Sequence, residues 1–485
     1  MAVPPESKEG PIYRKGGPIY GEIPCDLRHA IALAIFHGVV TILREDSLRL
    51  LSFYYSEKKI MEFTEFINRA VTPYHSVEQL RKMLSEAGFE KLSKKAAWEL
   101  KRGGAYMTRG TSGSLFAFVI GTEYCAGEPI AIELAHTDYP CLHIKPNAET
   151  GKYYAQLDVD VYGGPILNTW LDRPLGIAGR VFVRTEEGKI EERPVVSDGP
   201  VVTIPNLPIH FNREVNKGVE LKRQVDLSPI ADFGCEPGWF ADYVAELAGT
   251  TKDAIMEADL YVCSMQKAET IGIRKNMISS PRLDNQTSCY ALWKAIGKAY
   301  ENAASSGSHD ISVAAWFDNE EIGSQTRQGA DSSVLKMILD KIYDGLGLAE
   351  PRLHEAVFAG RCLSLDVAHA LHPNHPEKYD RYNTASIGNG VVLKLSGNQK
   401  YAYSPELLAE VKNVLLNGRI PFALHTNHSD QPGGSTMGPL VSSWLPMPTV
   451  DAGVPILAMH SSCELMATSD QNALERLAEE FYAMA

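Results

Sequence analysis

Short apolar segments of this sequence end in side chains that can bind metals or transfer protons. A further carboxylate, Asp284, precedes a predicted helix that begins near Gln286. In open α/β sheets a ligand binds beyond the carboxyl ends of the strands, so residues that follow strands are expected to meet at one edge of the sheet. The predicted strands and the side chains that follow them are Ile130–Ala135 with His136 and Asp138, Ile311–Phe317 with Glu320 and Glu321, Arg361–Leu365 with Asp366, and Val454–Met459 with His460.

These side chains match the donor set of a two-metal hydrolase. Imidazole and carboxylate ligands suit Zn²⁺, Mn²⁺ or Co²⁺, and a shared carboxylate can hold two ions about 3.5–4 Å apart. In an extended chain His136 and Asp138 share a face, so Asp138 can orient the His136 ring. Glu320 and Glu321 point opposite ways in an extended chain, which suits one as base and one as ligand. A single such residue is more often a helix cap or a satisfied polar group, so the prediction depends on the joint pattern.

Other catalytic motifs are missing or incomplete in the sequence. It contains no Gly-x-Ser-x-Gly elbow of a serine hydrolase and no evident Cys/His arrangement. The segment Gly433–Pro439 could be taken as a phosphate loop, but it lacks the Gly-Lys-Ser/Thr ending of a P-loop, which favours a turn that faces substrate. Lys394 ends an apolar strand, where a lysine is ordinarily a snorkelling or edge residue; near a peptide site it could instead bind a carboxylate.

The composition is typical of a globular protein and argues against nucleic-acid and membrane partners. Of the 485 residues 44% are apolar, and the length favours two or three folded units. The net charge of −13 would repel a phosphate backbone. The most apolar run, Ile31–Leu43, is interrupted by His37 and Gly38 and is too short to span a bilayer, and the first residues lack the apolar stretch of a secretory signal. The eight cysteines form no C-x-x-C pair, which predicts reduced thiols in a cytoplasmic protein.

The elements that must position the chemical side chains alternate between strand and helix. Residues 62–88 show helical apolar spacing broken at Thr72-Pro73, which predicts two amphipathic helices. Short apolar runs begin a sheet at Leu115–Ile120, while β-rich pieces between Tyr153 and Pro208 predict a separate insert. After about Met265 further strands, such as Gly390–Leu395, alternate with helices, so the expected fold class is an α/β sheet flanked by helices. The predicted helices are Gln286–Ala303, Ser333–Tyr343, Pro405–Gly418 and Asp470–Met484.

Six blocks of the sequence together form a specific, ordered signature. They are Ala135–Asp138, Val161–Gly164 with Thr169–Arg173, Pro281–Asn285, Phe317–Ser324, Asp366–Asn374 and Leu457–Ser461. In these blocks the chain resembles the M18 metallo-aminopeptidases, which include aspartyl aminopeptidase and vacuolar aminopeptidase I, from about Glu62 to the C-terminus. One departure is Tyr139, where the family more often has a small residue. The resemblance implies a mixed sheet of zinc-exopeptidase type with an inserted β-rich dimerisation domain.

The resemblance also implies a role for each site residue. It implies two divalent metal ions, with Zn²⁺ expected and Mn²⁺ or Co²⁺ as alternatives. In the family pattern Glu320 is the general base, and Asp138 orients the His136 ring. A histidine from the insert of a neighbouring subunit enters the site in this family, and His210 matches its place. One ion would be held by His136, Asp284 and Asp366. The other would be held by Glu321, His460 and Asp284, which would bridge the two ions. His369 and Lys394 would contact substrate.

Domain organisation and assembly follow from the same resemblance. Residues 61–140 and 266–485 would form the catalytic domain, and residues 141–265 the inserted dimerisation and lid domain. Dimers would build a tetrahedral dodecamer that admits short peptides. Residues 1–60 form an extension of uncertain role; its segment Asp26–Tyr55 is expected either to pack as an amphipathic helix or to bind a partner.

The predicted function is removal of N-terminal residues from peptides by a metal-activated water. Acidic residues are the favoured first residue because Lys394 could pair with a carboxylate, although members of the family also accept neutral residues. Two alternatives stay open. A carboxypeptidase or deacylase with the same metal architecture would cleave substrates with blocked amines, and an oligomeric scaffold would assemble without hydrolysis.

Overall fold

The structure, a computed structural model, describes residues 62–484. The expectations for residues 1–60, including Ile31–Leu43 and Asp26–Tyr55, lie outside the described residues. After a helical segment at 62–69, the helices are α1 (Pro73–Glu86), α2 (Arg223–Asp226), α3 (Trp239–Leu247), α4 (Leu283–Ser306), α5 (Val334–Gly345), α6 (Glu350–Ala359), α7 (Pro405–Asn417), α8 (Met437–Trp444) and α9 (Thr468–Tyr482).

Within these residues the strands form four sheets of nine, six, three and two strands. In chain order the strands are β1 (Glu90–Lys91), β2 (Ala105–Arg109), β3 (Leu115–Ile120), β4 (Ile130–His136), β5 (Cys141–Thr150), β6 (Ala155–Tyr162), β7 (Leu175–Arg184), β8 (Ile190–Val196), β9 (Ile230–Asp232), β10 (Ile255–Ser264), β11 (Glu269–Ile271), β12 (Met277–Ser280), β13 (Ile311–Phe317), β14 (Arg361–Leu365), β15 (Ala368–His369), β16 (Val391–Lys394), β17 (Phe422–His425), β18 (Thr449–Gly453), β19 (Pro455–Ile456) and β20 (Glu464–Ala467).

The nine-stranded sheet is mixed and has the order β1-β2-β3-β13-β4-β14-β18-β16-β17. Its central strands β13, β4, β14 and β18 are parallel neighbours. Strand β3 runs antiparallel to β13 on one side, and β16 runs antiparallel to β18 on the other. Because the central strands share one direction, the residues that follow β13, β4 and β14 emerge at the same edge of the sheet.

Helices cover both faces of this sheet. Alternate residues of β3 take opposite sides, as the two-residue period of a strand requires. Leu115 and Val119 pack in the core formed with α4, α7 and α9, whereas Phe116 and Phe118 pack in the core formed with α5, α6 and α8. All four side chains are essentially inaccessible to water, and burial of each contributes roughly 1.5–3 kcal/mol. The α/β fold class with a sheet flanked by helices is therefore confirmed.

The break predicted at Thr72-Pro73 separates two helical segments. Thr72 is the N-cap of α1 and its side chain accepts from the backbone N–H of His75, while Pro73 occupies the first turn, where a missing N–H costs nothing. Val77 and Leu80 lie one turn apart and are fully buried. Helix α1 thus packs against α4 through the apolar face that its sequence spacing predicts.

Residues Cys141–Ser264 supply the six-stranded antiparallel sheet, whose order is β8-β7-β10-β5-β6-β9. This insert has a hydrophobic core of its own, to which α3 contributes. Gly179 in β7 marks a close approach, because a Cβ atom there would lie 2.1 Å from the backbone oxygen of Asp259 in β10. The predicted β-rich region between Tyr153 and Pro208 forms only part of this sheet.

The prediction of one buried strand over Val454–Met459 is wrong. The sheet strand is β18, which ends at Gly453. Pro455–Ile456 then pairs with β15, and Leu457 forms an isolated bridge to Leu465. The chain then turns through Ala458 and His460, whose φ angles are 57° and 67°. The prediction from apolar runs misplaced the strand, because Thr449–Gly453 contains the buried Asp451 and is less apolar than the segment after it.

Two helices outside the insert were not predicted. These are α6, and α8, which starts at Met437 directly after the glycine-rich turn 433–436. In the described part of the chain no helix is both long and apolar enough to cross a membrane.

Candidate metal centre

The carboxyl edge of the central strands brings together the chemical side chains that the sequence singled out. His136 is the last residue of β4 and lies opposite Phe317, the last residue of β13. Asp366 directly follows β14, and Asp284 lies at the start of α4. His460 comes from the turn after β19 rather than from a strand end.

Asp284 lies between the two histidines. Its Oδ1 is 3.3 Å from Nε2 of His136, and its Oδ2 is 3.5 Å from Nε2 of His460. On the first side Asp366 Oδ1 lies 3.5 Å from His136 Nε2, and on the second side Glu321 Oε2 lies 3.4 Å from His460 Nε2. Two donor groups therefore share Asp284, each with ligand atoms within 4.8 Å of one another.

Both imidazoles are held so that Nε2 faces the centre. The Nδ1 of His136 is 3.1 Å from the backbone oxygen of Asp138, and the Nδ1 of His460 is 3.1 Å from the backbone oxygen of Gly164. A carbonyl can only accept, so each Nδ1 donates, and the neutral ring then presents the lone pair of Nε2. That tautomer is the one in which Nε2 can bind a metal ion.

The carboxylates of the centre lie close together in a buried place, where bound cations would stabilise their negative charge. Asp284 Oδ1 and Glu321 Oε1 are buried without a hydrogen-bond donor. Burial and the neighbouring Asp284 raise the pKa of Glu321 well above its usual value. Despite burial, the surrounding carboxylates raise the pKa of His136 well above its usual value and that of His460 to about 10. A divalent cation would replace these protons, so the residues present fit a metal site.

Glu320 reaches the same centre from a neighbouring position. Glu320 and Glu321 lie in a 3-10 helix, Glu320–Ile322, between Asn319 and Gly323, both of which have positive φ angles. The expectation of an extended Glu pair pointing opposite ways is therefore wrong, because the tight turn directs both side chains to the site. Burial, together with Asp366 and Asp138, raises the pKa of Glu320 to about 8.

Asp138 holds the Glu pair more directly than it holds the His136 ring. Its Oδ1 and Oδ2 accept from the backbone N–H groups of Glu320 and Glu321, both at 3.1 Å, and Oδ2 also accepts from the Tyr162 hydroxyl at 2.7 Å. The Asp138 carboxylate is 3.5 Å from Nδ1 of His136, farther than the backbone oxygen of the same residue. Tyr162 belongs to the insert, so a hydrogen bond links the insert to the centre.

A cavity of about 670 Å³ opens from the centre, and His369 and Lys394 line it. Lys394 Nζ lies 3.2 Å from Asp366 Oδ2 and 3.1 Å from the backbone oxygen of Val367. Although burial alone would lower it, Asp366 raises the pKa of Lys394 above its usual value. The same cavity is lined by residues 434–436, as a turn that faces substrate requires.

His210 does not reach this cavity in its own chain. It lies exposed in a turn of the insert, next to the exposed residues Ile209 and Phe211. Its predicted role needs a second subunit.

Sequence reasoning missed three residues that support the centre. Tyr162 lies in one of the matching blocks but received no role. Asn319 donates to the Tyr162 hydroxyl at 2.9 Å, and Glu464 accepts from the backbone at Asp284 and at His460. No local pattern marks Glu464, because its partners are brought to it by the turn after β19 and by the start of α4.

Comparison with known proteins agrees with this geometry. The family model described as aminopeptidase I zinc metalloprotease (M18) matches residues 66–482. A probable M18 family aminopeptidase 2 from Clostridium acetobutylicum is 38% identical over 425 residues, covering 86% of this chain and 97% of the relative. Aspartyl aminopeptidase 4 from Saccharomyces cerevisiae is 34% identical over 459 residues, covering 87% of this chain and 94% of the relative.

Solved structures show the same fold. The S. cerevisiae mApe1 dodecamer aligns with a TM-score of 0.79 and 26% identity, covering 89% of this chain and 97% of that chain. The predicted resemblance is confirmed: the chain belongs to the M18 family and is a zinc metallo-aminopeptidase.

Proposed function

We propose that this chain removes N-terminal residues from peptides with two divalent cations and that Asp284 bridges them. The proposal is carried by the position of the Asp284 carboxylate, in which one oxygen faces His136 and the other faces His460. His136, Asp284 and Asp366 would hold one cation, and Asp284, Glu321 and His460 the other. The family model supports Zn²⁺, with Mn²⁺ or Co²⁺ as alternatives. Bound cations acidify a water and polarise the scissile carbonyl.

Glu320 is proposed as the general base. Its carboxylate lines the cavity and also lies near His136 and Glu321 as a possible third donor group, but the two groups that share Asp284 do not include it. A carboxyl whose pKa lies near the working pH can both accept a proton from water and return it to the leaving amine. Asp138 would support this step by fixing the backbone of Glu320 and Glu321.

The cavity supports selection of a free N-terminus. The α-amino group of a peptide would sit against acidic groups and a cation of the centre, and an internal peptide bond offers no such amine. For the first side chain we propose a preference for Asp or Glu, with neutral residues as weaker substrates. Lys394 donates to Asp366 and Val367, which leaves one of its three N–H groups for a substrate carboxylate. The name of the yeast relative agrees with this preference.

We further propose a homo-oligomer in which the insert forms the dimer contact. Large apolar side chains project from it into solvent, among them Tyr153, Phe211 and Phe233, which are 76%, 80% and 86% exposed. A contiguous exposed apolar patch marks an interaction site, and we propose that these side chains belong to one. The proposed order is dimers that build a dodecamer, with His210 entering the site of a neighbouring subunit. The yeast mApe1 structure is a dodecamer. The domain boundaries and the cytoplasmic location stay predictions.

The test is hydrolysis of chromogenic aminoacyl substrates carrying Asp, Glu, Leu or Lys, each with a free or acetylated amine. Each is assayed with and without chelator and with added Zn²⁺, Mn²⁺ or Co²⁺. We expect chelator-sensitive cleavage of the free-amine substrates alone, fastest for Asp and Glu. Cleavage of acetylated substrates would favour a deacylase or carboxypeptidase, and no cleavage with any metal would favour a scaffold. A higher rate for Leu would contradict the acidic preference alone.

A further inference from the structure

A buried carboxylate behind the metal centre touches two of its residues at once. Glu464 is the first residue of β20 and lies opposite Ser280 of β12 in the three-stranded sheet. Only 3% of its surface is exposed, and it does not line the substrate cavity. Glu464 therefore acts on the centre from behind, not by contact with a peptide.

Both oxygens of this carboxylate accept backbone hydrogen bonds from residues of the centre. Oε2 accepts from the N–H of Asp284 at 3.0 Å, and Oε1 accepts from the N–H of His460 at 2.8 Å. The two residues are 176 positions apart in the sequence. One rigid side chain thus spans the two backbone segments that must stay at a fixed separation for Asp284 and His460 to share a cation.

The segment that carries His460 needs such an anchor. Ala458 and His460 have positive φ angles of 57° and 67°, a conformation that costs a residue with a Cβ atom about 1 kcal/mol or more. Backbone hydrogen bonds hold the segment before the turn, where Leu457 pairs with Leu465, and on the carbonyl side of His460, which accepts from the Ile166 N–H at 2.9 Å. The N–H side of His460 is held by Glu464. The bond from the His460 N–H to Glu464 holds this turn at the residue whose ring must reach the centre.

We propose that Glu464 is a positioning residue that sets the distance between Asp284 and His460 and thereby the affinity of the cation they share. The inference rests on the proposed function, because it requires these two residues to bind metal. Residues that support metal ligands in this indirect way typically change metal affinity or activity about 10–100-fold when they are replaced.

The experiment compares Glu464→Gln and Glu464→Asp with the wild-type chain. The amide of Gln keeps the size of the side chain but offers only one oxygen, and Asp keeps the charge but is too short to reach both N–H groups. Zinc affinity is measured on the folded fraction by competition with a chromogenic chelator, and bound zinc per chain by elemental analysis. The assay of kcat and KM is done on the same samples.

Glu133→Gln is the matched control. Glu133 is a fully buried carboxylate of β4 whose pKa is raised well above the usual value by burial, and it has no part in the centre. This variant is expected to bind zinc as the wild type does, even where its thermal stability falls. It therefore separates general destabilisation from displacement of the metal ligands.

We expect one of the two zinc ions of both Glu464 variants, the ion assigned to Asp284, Glu321 and His460, to lose about 10–100-fold in affinity, with kcat reduced and the other ion largely kept. Two ions bound as tightly as in the wild type, with unchanged kcat, would overturn the positioning role alone. A variant that loses thermal stability but keeps wild-type zinc affinity would also overturn it, because that result is expected if Glu464 only stabilises the fold. A wild-type chain that binds fewer than two ions would overturn the proposed function and this inference together.

Discussion

Hydrogen bonds to backbone carbonyls determine which nitrogen each histidine presents to the centre. At the residue scale, the carbonyls of Asp138 and Gly164 accept from the Nδ1 atoms of His136 and His460. The Nε2 atoms then point at the two oxygens of Asp284. Because the tautomer is set by the backbone, it does not depend on a further ionisable group.

Replacing the proposed base should reduce turnover without removing the metals. For Glu320→Gln we predict a fall in kcat of about 10²–10⁴-fold, the usual contribution of a general base. Metal content should stay at the wild-type value, since Glu320 is not needed in either donor group. The comparison is made with a free-amine substrate and elemental analysis of the same sample. A variant with half of the wild-type kcat would show that another group takes the proton.

The rate should rise with pH on the acid side. Glu320 must be deprotonated to accept a proton, and its raised pKa of about 8 moves that ionisation upward from the usual range. Bound cations favour the carboxylate and lower this value, so we predict that kcat/KM increases with pH and levels off at or below about pH 8. A pH profile of the metal-loaded enzyme checks this. A rate that falls steadily from about pH 5 upward would contradict it.

Single residues could be predicted where strand direction alone places them. His136 ends one parallel strand and Asp366 follows another, so the sheet brings them to one edge. Glu464 and Tyr162 could not be predicted, because their hydrogen bonds depend on side-chain distances across segments far apart in sequence. The conformation of Glu320–Glu321 was missed because the positive φ of Asn319 turns the chain at that point.

At the scale of elements, the insert depends on the close approach of β7 and β10. Gly179 faces the backbone of Asp259, where a Cβ atom would lie only 2.1 Å from an oxygen. The two strands pair over nearly their full lengths, so a side chain at this point would have to push them apart. Nothing comparable surrounds Gly297, which lies within α4 with no atom near its would-be Cβ.

Alanine at these two glycines should have opposite effects. Gly179→Ala should lower the free energy of unfolding by about 1–3 kcal/mol, as overpacking does. Gly297→Ala should raise it by about 0.5–1 kcal/mol, because alanine favours a helix interior more than glycine does. Thermal unfolding at one protein concentration measures both. Equal midpoints for the two variants would contradict the contact between β7 and β10.

Element boundaries were predictable where apolar runs and turns coincide. Strand β13 begins and ends at its predicted residues, and β14 does as well. The predicted strand boundary within 449–460 was wrong, because the less apolar segment Thr449–Gly453 pairs with β14 and forms the strand. Helix α8 was missed because its short sequence follows a glycine-rich turn.

At the scale of the whole molecule, the proposed assembly predicts that one subunit completes the site of another. His210 is exposed and absent from the cavity of its own chain. We predict that His210→Ala abolishes turnover with metal content intact. Co-expression of His210→Ala with Glu320→Gln should restore activity to about a quarter of wild type for random pairing in dimers, since half of the dimers carry one complete site.

The outcome of that mixing experiment is diagnostic. Each variant alone lacks one required group in every site, so recovered activity requires exchange of His210 between chains. An active His210→Ala variant, or a mixture no more active than its parts, would contradict the exchange. The sequence could suggest this contact only through family resemblance, because no pattern within one chain shows which surface a second chain covers.

The central claim, that two cations held around Asp284 carry the reaction, is tested most directly by reconstitution of the metal-free enzyme. Zinc is added in steps, and bound zinc per chain and kcat/KM for a free-amine substrate are measured at each step. The account predicts two bound ions per chain, with full activity only when both are present, and loss of both activity and the second ion in Asp284→Asn. Full activity with one ion, or in the presence of excess chelator, would contradict it.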